Sequence, residues 1–119
     1  MSAIQLEKNL SGYANVKVND FSIDIDKIEC GVIFLYCTWS PAIIQLHSLL
    51  TSLQNYQQIV LLGFDIDEEE ALQFFGKQGL HSDGWGETYW VRKGEVVSFL
   101  KKYGPQSMEQ LISNNKMLL

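Results

Sequence analysis

The chain has 119 residues, 46% of them hydrophobic and 19% charged, with a formal charge of −5 and a pI near 4.9. Such a length can bury a core without staples and fits one domain over residues 1–119, and the composition does not indicate disorder. The acidity argues against nucleic acid as a direct partner, since phosphate backbones repel a negative surface; it serves solubility, and it draws the chain toward a basic protein if it has such a partner.

Two cysteines are present, Cys30 and Cys37. The stretch between them reads as a strand, which sets their Cα atoms roughly 23 Å apart. A disulfide needs about 7 Å or less, so the two do not bridge within one chain. Unpaired thiols point to a reducing compartment. Met1 to Leu10 carries Glu7 and Lys8 where a signal peptide would need an apolar run, and no run approaches the ~18 apolar residues of a membrane span. The expectation is a cytoplasmic protein with no membrane partner.

Val16 to Ile25 alternates apolar and polar residues on both sides of Asn19-Asp20 and reads as a hairpin or a pair of edge strands. Gly31 to Tyr36 is a continuous apolar run, the pattern of a strand buried on both faces in a parallel sheet. Ser40 then reads as an N-cap and Pro41 as the first helical position. Ile43, Ile44, Leu46, His47, Leu49, Leu50 and Leu53 give the helix an apolar face to about Asn55. Gln58 to Phe64 is a second buried strand.

Asp65 or Asp67 caps the next helix, with Glu68 to Glu70 in its first turn, where acidic groups suit the helix dipole. Ala71, Leu72, Phe74 and Phe75 form its inner side, and the glycine-rich loop Gly79 to Gly86 ends it. Thr88 to Arg92 and Glu95 to Leu100 flank Lys93-Gly94, the pattern of a tight antiparallel hairpin. After the turn Gly104-Pro105, Ser107 opens a last helix with Met108, Leu111 and Ile112 inward. The strand–helix–strand unit makes a parallel right-handed crossover, and the closing hairpin makes one side of the sheet antiparallel. The expected class is α/β, a central mixed β-sheet flanked by helices.

Four segments together resemble the thioredoxin superfamily, in the branch of the peroxiredoxins and small thiol reductases. They are Asp20 to Asp24, Gly31 to Ile43, Val60 to Glu68 with Ala71 to Leu80, and Glu87 to Val97. The resemblance implies a thioredoxin-like fold over nearly the whole chain from about residue 16. It also implies where the chemistry would sit. The family's tryptophan before Cys-x-x-Cys matches Trp39, but Ser40-Pro41-Ala42-Ile43 replaces the motif. A serine hydroxyl cannot attack a disulfide sulfur as a thiolate does, and Ile43 offers no resolving sulfur. The family's buried acid falls at Phe34, and its cis-proline at Glu87. A cis bond before a non-proline costs about 3 kcal/mol, so a trans bond is expected there. The loop His81 to Gly86 is a few residues longer than is usual. The peroxiredoxin reading fails as well, because Arg92, the sole arginine, lies in the closing hairpin.

Other candidates have plainer readings. Cys37 reads as a displaced nucleophile or, more simply, as a small buried hydrophobe, and Cys30 likewise. Ser40 as a nucleophile needs a base; His47 is about 10 Å along the helix and too far, which leaves His81. Asp65-x-Asp67-x-Glu69 lacks the glycine and the twelfth-position glutamate of a calcium loop, so it reads as a helix start. No metal or cofactor is expected. Trp39, Trp85, Trp90, Tyr89 and Tyr103 are the aromatic residues that would anchor an interface. Trp85 reads equally as such an anchor and as filler of the old active-site groove.

The functional expectation is a non-catalytic, intracellular protein-binding module. Its interface would be Trp39, Ser40, Pro41, Trp85 and Glu87. Concrete forms are an acidic inhibitor or immunity protein that neutralises a basic toxin, and an assembly chaperone. The alternative is a monothiol oxidoreductase or redox sensor using Cys37.

Overall fold

The continuous apolar run becomes the middle strand of a five-stranded mixed sheet. The computed structural model describes residues 13, 15–18, 22, 24–36, 42–66, 73–74, 76–77, 79–80, 87–101 and 107–119. The strands are β1 (Val16–Val18), β2 (Cys30–Tyr36), β3 (Val60–Asp65), β4 (Thr88–Arg92) and β5 (Glu95–Leu100). Their spatial order is β1-β3-β2-β4-β5. β1 and β2 both run parallel to β3, while β4 is antiparallel to β2 and β5 to β4. The mixed α/β sheet read from the sequence is therefore the observed one.

Alternation along the strands sorts the core into two layers, because successive side chains point to opposite faces. One layer holds Val32, Phe34, Leu61 and Trp90 from the sheet. Helix α1 (Ala42–Ser52) and helix α2 (Ser107–Lys116) cover it and pack against each other. Leu46 and Leu49 of α1, Leu53 just beyond it, and Leu111 of α2 are fully buried there. Each contributes about 1.5–3 kcal/mol relative to exposure. His47 of α1, counted on the apolar face by its spacing, is exposed instead. The other layer holds Ile33, Leu35, Leu62, Phe64, Tyr89 and Val91, with Ile25, Ile28 and Phe74 packed over them. The Phe74 ring packs tilted against Phe64, centroids 5.0 Å apart. Gln73, Phe74, Gly76 and Lys77 are helical, where the sequence places its second helix.

α1 ends where hydroxyls compete for its carbonyls. Thr51 Oγ1 donates to His47 O at 2.9 Å, and Ser52 Oγ donates to Leu49 O at 2.6 Å. Such back-bonding weakens the helical ladder.

The first segment departs from expectation. β1 is an edge strand, and among the described residues its pairing is not with its own continuation: Val16, Lys17 and Val18 pair in parallel with Leu61, Leu62 and Gly63. Ile25 is not in a strand but opens a 3₁₀ turn, Ile25–Lys27. Asp24 caps that turn by accepting from Asp26 N at 3.1 Å. The closing hairpin is as read, with Lys93 and Gly94 at φ 50° and 78°, the left-handed pair that a two-residue turn of mirror-image type requires. Its tip docks on the 3₁₀ turn. Lys93 N donates to Glu29 O at 2.9 Å and Gly94 N to Ile28 O at 2.8 Å. A bulge shifts the hairpin register, so Trp90 faces Ser98 while Val91 faces Val96. The extra residue leaves Val96 and Phe99 on the same face as Tyr89 and Val91.

Candidate functional site

Two chain segments meet at the C-terminal end of β2. Leu35 N donates to Glu87 O at 2.9 Å, which holds the entry to β4 against the last residues of β2. β2 ends at Tyr36 and α1 begins at Ala42, so residues 37–41 join the two from this pole. Residues 81–86 reach Glu87 at the same pole. The attachment points of the two segments that carry Trp39, Ser40, Pro41 and Trp85 are thus brought together. These four residues, with Cys37, His81 and Tyr103, lie outside the described residues.

Glu87 is described, and it is fully buried, at 0% exposure. Among the described residues no peptide bond is cis; the Gly86–Glu87 bond lies outside them. Glu87, expected at the interface, thus presents no side chain at the surface. No sequence pattern signals that burial, because a lone glutamate before a strand usually faces water.

Behind the pole the interior is apolar. Phe34 is buried in the layer under α1 with Leu46 and Leu49. Where the resemblance places an acid, this chain places a phenyl ring with no proton to give or take.

Two of the aromatic candidates belong to the core. Trp90 is fully buried, and its Nε1–H donates to Asn115 Oδ1 at 2.9 Å. Asn115 Nδ2 in turn donates to Ser52 O at 3.0 Å and to Ser52 Oγ at 3.1 Å. This network ties β4 to both helices. Its acceptor lies 25 residues from the tryptophan in sequence, which is why spacing did not reveal it. Tyr89 is also buried, stacked at 4.7 Å on Phe99. Neither is a free interface anchor.

Cys30 sits at the other end of β2, roughly 20 Å from Tyr36 at strand rise. It is partly buried, with Sγ at 3.7 Å from Gln58 O. Tyr13 lies beside it. The Tyr13 hydroxyl donates to Tyr56 O at 2.9 Å and to Ile59 O. Burial, and secondarily the nearby Cys30, push its pKa up to about 12. This end is a clamp on the segment entering β3. It shares nothing with the opposite pole. Among the described residues no cluster of histidine, cysteine and carboxylate side chains has the arrangement of a metal site, and no helix is long and apolar enough to cross a membrane.

No protein-family model matches the sequence, and no curated protein matches it. The backbone, by contrast, is similar to solved structures. Thioredoxin O2 from Arabidopsis thaliana in its oxidized state superposes with a TM-score of 0.69 at 16% identity, over 87% of this chain and 94% of that one. The oxidised thioredoxin of Plasmodium falciparum gives 0.64 at 19% identity, over 87% and 99%. A yeast mitochondrial 1-Cys peroxiredoxin gives 0.58 at 19% identity, over 76% and 82%. Identities this low speak to architecture alone, and with the observed strand order they establish that the chain has a thioredoxin-like fold.

Proposed function

We propose that this chain is a thioredoxin-fold protein-binding module that carries out no thiol–disulfide exchange. One observation carries the reading: β2 runs into α1 through Cys37-Thr38-Trp39-Ser40-Pro41, and the helix then opens on Ala42 and Ile43. A helix N-terminus depresses a thiol's pKa because its free N–H groups stabilise the thiolate. Here no cysteine occupies the Ser40-Pro41-Ala42-Ile43 stretch at that end of the helix, and Cys37 stands three residues before it. Cys30 is roughly 20 Å away along β2, and Phe34 supplies no proton relay.

The surface offered to a partner is at the pole where the end of β2 meets Glu87, with Trp39 and Trp85 as its anchors and Ser40 and Pro41 as further members. Glu87 supports it from inside. The net charge of −5 favours a basic protein. An inhibitor or immunity protein for a basic toxin meets that description, and so does an assembly chaperone.

Cys37 tests the reading, since it is the sole sulfur between β2 and α1. In a Cys30→Ser protein, the rate of Cys37 with an aromatic disulfide reagent is measured folded and in denaturant. The expected result is a folded rate below the denatured one, as for an unactivated thiol. A folded rate well above it would mean a stabilised thiolate, and a monothiol oxidoreductase or redox sensor would replace the binding module.

A further inference from the structure

The pole opposite the β2–α1 connection holds a cleft of about 440 Å³ between the 3₁₀ turn and strands β1 and β3. That volume lies within the range of small-ligand sites, roughly 300–1,000 Å³. Its floor is aliphatic, formed by Ile28, Val60 and Leu62. Its rim is charged: Lys17 stands beside Leu62 across the β1–β3 pairing, and Asp24, Lys27 and Glu29 come from the turn and the residues after it. Asp24 uses Oδ1 to cap the turn. Among the described residues no ion pair joins these two lysines to these two carboxylates.

A ligand of one sign does not fit this rim. An anion drawn to the lysines meets two carboxylates, and a cation drawn to the carboxylates meets two ammonium groups. A molecule that carries both charges on an apolar body satisfies all four groups and covers the floor. We propose that the cleft binds a small zwitterion with an aliphatic body, of dipeptide size. Its carboxylate pairs with Lys17 and Lys27, and its ammonium with Glu29 and the free oxygen of Asp24. Its side chains lie on Ile28, Val60 and Leu62. This site is separate from the partner surface of the proposed binding module, and stands whether or not that module is correct.

The probe is the dipeptide Leu-Leu, titrated into the full chain while backbone amide NMR shifts are followed. Saturable shifts are expected at residues 17, 27–30 and 58–62. The double variant Lys17→Gln/Lys27→Gln, which changes only exposed side chains, should weaken binding about tenfold or more, because charge-assisted hydrogen bonds are lost. Leu-Leu acetylated at one end and amidated at the other should lose about as much on the wild-type protein. The proposal is overturned if no saturable shift appears, if shifts cluster at Leu35 and Glu87, or if the blocked dipeptide binds as well as the free one. The amide spectrum of each variant reports its fold independently.

Discussion

Replacing Asn115 by alanine isolates the network that makes Trp90 a core residue. The Asn115 side chain is fully buried and makes three hydrogen bonds, one from Trp90 Nε1–H and two to Ser52. Alanine leaves the indole N–H in a dry site without its acceptor, which costs about 1–3 kcal/mol. It also releases the tie between α2 and the end of α1, about 1 kcal/mol more at the net value of an ordinary hydrogen bond. The expected loss is roughly 2–4 kcal/mol. For a chain of this length that lowers Tm by about 4 °C per kcal/mol. Urea unfolding at neutral pH measures it. The control is the same substitution in a Trp90→Phe background, where no indole donor is left stranded. There Asn115→Ala should cost about 1 kcal/mol less, the coupling of a buried pair. A loss below ~1 kcal/mol, or equal losses in the two backgrounds, would refute the network as the reason Trp90 lies inside.

Three further outcomes can be checked with the same unfolding assay. Gly94→Ala should cost at least ~2 kcal/mol, since the left-handed backbone disfavours a Cβ. That Cβ would also stand 2.6 Å from Asp26 O. Tyr13→Phe should change how stability depends on alkaline pH. Because the folded pKa is raised from 10.0 to about 12, the tyrosine's contribution is full below pH 10 and is lost as pH climbs toward 12. The phenylalanine variant should lose less stability across that window, and a wild-type curve no steeper than the variant's would contradict the buried hydroxyl. Phe99→Ser removes a half-exposed ring stacked on Tyr89 and should cost about 0.5–1.5 kcal/mol, with a change in the tyrosine near-UV signal.

Residues with unambiguous periodicity announced their elements. The uninterrupted run of β2, the leucines of α1 and the Lys93-Gly94 turn each admit one local structure, and that structure formed. Val16 to Ile25 did not announce itself. Its alternation fits a hairpin and a pair of edge strands equally, because the period of two says which face a residue takes and nothing about which strand it pairs with. The partner of Val16 is Leu61, 45 positions on. The 3₁₀ turn was hidden for a related reason: Asp24 as a cap is visible in the sequence, but a single turn has too few residues to show a helical period. At the site, the meeting of β2's end with Glu87 followed from topology, whereas the burial of Glu87 and the inward packing of Trp90 depend on residues far away in the chain. Sequence spacing carries no trace of such contacts.

The burial of Glu87 bears on how the proposed partner is held. With that carboxylate inside, the charge that draws a basic partner must come from carboxylates elsewhere on the surface. Glu29, Glu95 and Glu109 are exposed and spread over the opposite end of β2, the hairpin tip and α2. Charges so distributed act at a distance of several ångströms and speed encounter, but they form no desolvated pairs. Anchoring is left to Trp39 and Trp85 of the proposed surface, whose large rings lose little entropy and bury much area. The two contributions separate kinetically. Raising the ionic strength should slow association of a basic partner and leave its dissociation unchanged, while Trp39→Ala or Trp85→Ala should speed dissociation at any salt concentration. Dissociation that accelerates with salt would place charged groups inside the interface.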